Sequence, residues 1–122
     1  MFSDVPSAPT NLGVTETGDG FISVAWDTPR SDGGSPITGY IVQVNRSGTR
    51  GWTEAGKADN TTRTFDLTGL VTGEYYFVRV FAENQVGVSK KAADLSEPVC
   101  AKRPTSKDAL FYIVYAAVVT FL

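Results

Sequence analysis

The feature that most constrains this chain is a period of two. Tyr76, Val78, Val80 and Ala82 alternate with Phe77, Arg79, Phe81 and Glu83. Only extended backbone sends every second side chain to one face, so this stretch reads as a β-strand with a large apolar side turned inward. The same alternation recurs at Ile22-Val24-Trp26, at Tyr40-Val42-Val44 and briefly at Phe65-Leu67. No 3.6-residue apolar stripe competes with it between Leu12 and Lys102. Turn residues punctuate the runs. Gly18-Asp19-Gly20 marks a tight turn between a first strand near Leu12–Thr15 and the strand at Ile22–Trp26. Pro29 to Pro36 encloses Ser31-Asp32-Gly33-Gly34-Ser35, a loop no strand could cross, and Ser47-Gly48 and Asp59-Asn60 mark two further turns. Roughly seven short strands at this spacing, with no helix between them, predict an all-β, seven-stranded antiparallel sandwich of about 100 residues.

Composition then removes whole classes of function. The 122 residues include no histidine and one cysteine, with 11 basic against 13 acidic side chains and a net charge of −2. Without histidine there is no Ser-His-Asp or Cys-His catalysis and no imidazole metal ligand. A lone Cys100 makes neither an internal disulfide nor a cysteine-rich zinc site; it reads as a small buried or edge hydrophobe rather than a reactive thiol. The basic residues are scattered, which leaves no electrostatic footprint for nucleic acid. Asp27, Asp32, Glu54 and Asp59 lack the spacing of a calcium loop or an acid–base pair and read as solvated turn residues. No catalytic, cofactor-binding or metal-binding residue is expected, nor a small-molecule substrate; the chain does not read as an enzyme.

Specific residues carry a resemblance. Pro6 and Pro9 near the start, Trp26 followed by Pro29, Tyr40-Ile41-Val42, Leu70 with Tyr76 six positions on, and Ala82-Glu83-Asn84 with Gly87 form an ordered set. From about Pro6 to Pro104 the chain resembles a fibronectin type III domain, an immunoglobulin-like β-sandwich. The resemblance implies a core of Trp26, Tyr40, Val42, Leu70, Tyr76, Val78 and Val80. It also implies a tyrosine corner at Leu70 and Tyr76, in which the phenol hydroxyl satisfies backbone on the crossing loop. A narrower set comprises Asp32-Gly33-Gly34-Ser35-Pro36-Ile37-Thr38-Gly39-Tyr40, Trp52, Arg79 to Val88, and Ser96 to Lys102. It resembles the domains of giant sarcomeric proteins of the titin and twitchin type. That likeness implies a cytoplasmic, tension-bearing spacer bead. Its expected partners are neighbouring immunoglobulin-like or fibronectin type III domains and filament proteins.

Several features sit beside this reading. Phe77 and Phe81 flank Arg79 on the outward side of the long strand, either covered by neighbours or forming a contact stripe for a partner protein. Two glycosylation sequons, Asn45-Arg46-Ser47 and Asn60-Thr61-Thr62, occur near turns, and about one is expected by chance in such a sequence. If used, they would place the domain at the cell surface as an adhesion or receptor module. Pro6-Ser7-Ala8-Pro9 fits PxxP but reads as prolines shaping an edge. The start, Met1 to Pro6, has neither the basic nor the apolar region of a signal peptide, which favours synthesis in the cytosol if the chain is complete there.

The last stretch is the anomaly. Residues 109–122 carry no charge and, as a helix, would reach about 21 Å, short of a bilayer's hydrocarbon core of about 30 Å. It reads as a non-native end of an incomplete coding sequence, as a short membrane segment behind Lys102, Arg103 and Lys107, or as an extra packed element. The division expected is therefore 1–8 linker, 9–104 fibronectin type III domain, and 105–122 apolar tail outside it. A membrane enters only through residues 109–122.

Overall fold

The computed structural model describes residues 3–104; the tail readings for 105–122 fall outside the described residues. Eight strands follow in order: β1 (Thr10–Gly18), β2 (Phe21–Asp27), β3 (Gly39–Arg46), β4 (Thr53–Asp59), β5 (Thr64–Leu67), β6 (Tyr75–Glu83), β7 (Ala93–Asp94) and β8 (Val99–Cys100). They form two antiparallel sheets. The three-stranded sheet runs β1-β2-β5; the five-stranded one runs β4-β3-β6-β7, with β8 also on β6.

The count of eight rather than seven corrects the sequence expectation, and the cause is local. β7 pairs at Arg79↔Asp94 and Val80↔Ala93, β8 at Tyr75↔Cys100 and Tyr76↔Val99. The four residues Leu95 to Pro98 therefore face only Phe77 and Val78. Such an excess cannot stay in register, and Pro98 has no N–H to give a ladder. One final strand is thus broken into two short pieces. β1 is longer than read from its apolar residues. It shifts register between Thr10 and Gly13 and again between Val14 and Glu16, and Asn11 sits at φ 53° in the first irregularity.

Alternation builds the core. Ile22, Val24 and Trp26 from β2 meet Tyr40 and Val42 from β3, Leu67 from β5, and Tyr76, Val78, Val80 and Ala82 from β6, all buried. Leu70 is half-buried and packs against this cluster. The Trp26 and Tyr40 rings meet edge-on, centroids 5.4 Å apart and planes at 61°, an arrangement adding about 0.5–1.5 kcal/mol beyond area burial. Ala101, just beyond β8, is also fully buried.

β4 has no apolar alternation because it is an exposed edge. Thr53, Glu54, Ala55, Lys57 and Asp59 face water, and only Gly56 and Ala58 are half-buried. Glu54, read as a turn residue, is a strand residue opposite Gln43. Gly56 is required by packing: a Cβ there would lie 2.5 Å from the Phe65 ring, which closes the sandwich on that side.

Candidate interaction face and the two poles

The period of two that sends Val78 and Val80 inward sends Phe77, Arg79 and Phe81 to the outer face of the five-stranded sheet. Register fixes their neighbours. One row reads Glu54, Gln43, Arg79, Asp94 across β4, β3, β6 and β7. The next reads Lys57, Ile41, Phe81, and the one beyond it Asp59, Gly39, Glu83. Arg79 is held on three sides. Its Nε donates to Gln43 Oε1 at 2.7 Å, while its guanidinium carbon lies 4.2 Å from the Trp52 ring centre and 5.0 Å from that of Phe81. Stacking between two rings restrains a side chain that in solvent samples many rotamers. Phe77 and Phe81 are half-buried, and Ile41 is only 9% exposed although it faces outward. Two large aromatic side chains stay open on this face, Tyr75 at the start of β6, at 52%, and Trp52, at 36%.

Trp52 belongs to this group but is invisible to strand alternation, because it precedes β4 and reaches Arg79 only through the fold of β3 and β4. The sequence marks it as part of the sarcomeric resemblance and as a large aromatic in an otherwise small and polar stretch, Ser47 to Ala55, but neither signal places it beside Arg79. Among the described residues the one ion pair, Arg46–Glu74 at 3.0 Å, lies at the far end of β3. Asp59 keeps its charge readily: hydrogen bonds from Thr61 and Thr62 hold its carboxyl below the usual carboxylate range.

The ends of the described chain are built into opposite poles. At one, Asn84 is 3% exposed and uses every bond its amide can make. Its Nδ2 donates to the carbonyls of Asp4 and Asp32, each at 2.8 Å, and its Oδ1 accepts from the N–H groups of Val86 (2.9 Å) and Gly87 (3.2 Å). Asp4 N donates to Gly33 O at 2.8 Å and Ser7 N to Ser31 O at 3.0 Å. Asp4 and Ser7, inside the stretch read as linker, are thereby strapped to the Ser31–Ser35 loop, with Pro6 and Pro9 buried beneath. Gly33 makes this contact at φ 78°, where any Cβ would collide with the Asp4 carbonyl. At the other pole Ala101 O accepts from Gly20 N (3.1 Å) and Gly73 N (3.2 Å), Ala101 N donates to Glu74 O (2.9 Å), and Arg103 N donates to Asp19 Oδ1 (2.9 Å). Here too Val71 N donates to the Tyr76 hydroxyl at 2.9 Å, one residue past Leu70.

The sequons differ in setting. The Asn45 amide nitrogen donates to the carbonyls of Thr49 and Gly51 within its own hairpin, whereas Asn60 is exposed in the turn after β4. Cys100 is a free, half-buried thiol on β8. Among the described residues no helix is long and apolar enough to cross a membrane.

Two antiparallel sheets packed face to face, closed by a tyrosine hydroxyl bonded to the crossing loop, define the immunoglobulin-like sandwich class. Within that class, the family model for the fibronectin type III domain matches residues 7–97, and the chain belongs to that family. It is 34% identical over 103 residues to fast-type myosin-binding protein C of Mus musculus, covering 84% of this chain and 9% of that protein. The chain thus spans about a tenth of the curated relatives it matches first. A crystal structure of a run of titin domains superposes with a TM-score of 0.76 at 34% identity, covering 83% of this chain and 34% of that one. The twitchin kinase region from C. elegans gives 0.75 at 26% identity, covering 81% and 17%. The domain therefore resembles those of muscle proteins, as a structural and interaction module.

Proposed function

We propose that this domain is a non-enzymatic, tension-bearing spacer in a cytoplasmic array of similar domains, and that it meets filament proteins through the face around Phe77, Arg79 and Phe81. We take the folded unit as residues 9–104 with residues 4–8 strapped to it. The observation that carries the mechanical reading is the placement of the ends. The Asn84 and Gly33 bonds tie the first described residues to one pole, and the Ala101 bonds tie the last to the other. Tension applied at the ends therefore crosses the whole sandwich and loads antiparallel ladders rather than a hinge. The likeness to titin, to striated-muscle M-protein and to myosin-binding protein C supports the filament setting. Stretching the chain between handles at its two ends tests the reading. A discrete unfolding event supports it, and smooth extension at low force contradicts it.

A further inference from the structure

The rows that frame Arg79 also define the chemistry of what binds there. Four carboxylates, Glu54, Asp59, Glu83 and Asp94, share the outer face with two cations, Lys57 and Arg79. None of the four is in an ion pair among the described residues. Arg79 lies against Trp52 and Phe81 and is oriented by Gln43 rather than paired with any of the four, and four carboxylates against two cations leave the face net negative. The acids stand at the margins, Glu54 on β4 and Asp94 on β7, while Ile41, Phe81 and Trp52 make the middle. In the row of Asp59 and Glu83 the strand between them carries Gly39, which adds no side chain of its own. An aromatic floor with an acidic margin accepts apolar side chains in the centre and cations at the edge.

We propose that the outer face of β4-β3-β6-β7 docks a basic, amphipathic segment of a partner protein. Its apolar side chains lie on Trp52 and Phe81, and its lysine or arginine side chains reach Glu54, Asp94 and Glu83. The proposal rests on the reading of this face as the partner surface and adds the sign of the partner's charge. Because Trp52 and Arg79 already hold each other in place, little side-chain freedom is lost on binding, and large restrained aromatics are what anchor such contacts. The marginal carboxylates, being exposed, set orientation, encounter rate and salt dependence more than total affinity.

The experiment is a titration of the full, isotope-labelled chain, followed by backbone amide and indole resonances. Two amphipathic helical peptides of about 18 residues serve as probes, one of leucine and lysine, the other of leucine and glutamate. The leucine–lysine peptide is expected to shift Gln43, Arg79, Phe81 and the Trp52 indole, and to bind about tenfold more weakly when salt rises from about 50 to about 300 mM. The double variant Glu54→Gln, Asp94→Asn, at exposed positions that leave the fold intact, is expected to weaken it about three- to tenfold. If the leucine–glutamate peptide shifts these residues as strongly, the charge assignment is overturned and the partner face stands. If the lysine peptide shifts only residues elsewhere, or neither peptide shifts this face in the folded chain, the proposal and the partner-face reading both fall.

Discussion

Tyr76 and Tyr40 bury the same phenol in different company. The Tyr76 hydroxyl accepts the N–H of Val71, whereas the Tyr40 hydroxyl is buried with no hydrogen-bond partner among the described residues. Removing a hydroxyl that satisfies a backbone donor costs more than removing one that satisfies nothing. Tyr76→Phe is therefore expected to lose about 1–2 kcal/mol of unfolding free energy by urea titration, and Tyr40→Phe to stay within about 1 kcal/mol of wild type. Burial raises the Tyr40 pKa above the ordinary value of 10.0, with Arg63 opposing it. The unfolded phenol ionises first, so the stability is intact below about pH 10 and falls as pH climbs from there through the folded-state pKa. Tyr40→Phe should remove part of that alkaline decline in a pH series of melting temperatures. Asn84 gives the sharper residue-scale test. Asn84→Asp keeps the shape but turns a carboxylate oxygen toward the Asp4 and Asp32 carbonyls. It should cost about 2–4 kcal/mol at neutral pH and less in acid, where the carboxyl regains one donor; urea titrations at both pH values decide it.

At the level of elements, the broken last strand is the weak point of the five-stranded sheet. β7 and β8 each contribute two paired residues against β6, while β3 pairs with β6 along eight, Gly39 to Arg46. Native-state hydrogen exchange should accordingly release the Leu95 amide, bonded to Val78 O, well before those of Val42 and Val80. Equal protection across all three would contradict this picture. The elements also show what the sequence could and could not disclose. β2, β3, β5 and β6 announce themselves because each puts alternate large apolar residues into the core. β4 stays silent because an edge strand made of Thr53, Glu54, Ala55, Gly56, Lys57, Ala58 and Asp59 buries almost nothing. The break at Leu95–Pro98 depends on pairing register, which no local pattern encodes. The outward side of β6 was legible as residue types, Phe77, Arg79 and Phe81. Trp52 was legible only as part of the family resemblance, and its place beside Arg79 was not, since the two meet only once β3 and β4 have folded back. Trp52→Ala should cost about 0.5–1 kcal/mol by chemical denaturation, the range of an exposed cation–π contact, and leave the Tyr76 region unchanged.

For the whole molecule, the consequence of the fold is mechanical. The strands run between two poles, and each end of the described chain is fastened by backbone bonds to the pole it leaves. The sandwich then has to fail as a unit. Trp26, Val42, Val78 and Val80 lie in one buried cluster that spans both sheets, so neither sheet opens without exposing the other's core. Trp26→Ala should remove about 3–5 kcal/mol and most of the resistance to force. The most direct measurement is single-molecule extension of the full chain held at residues 3 and 104. Roughly 100 residues released at about 3.6 Å each, less the folded span, should appear as one abrupt lengthening of about 330 Å. Asn84→Ala should lower the force at which it occurs. A chain that lengthens gradually, or whose unfolding force is indifferent to Asn84, would contradict a tension-bearing domain anchored at both poles.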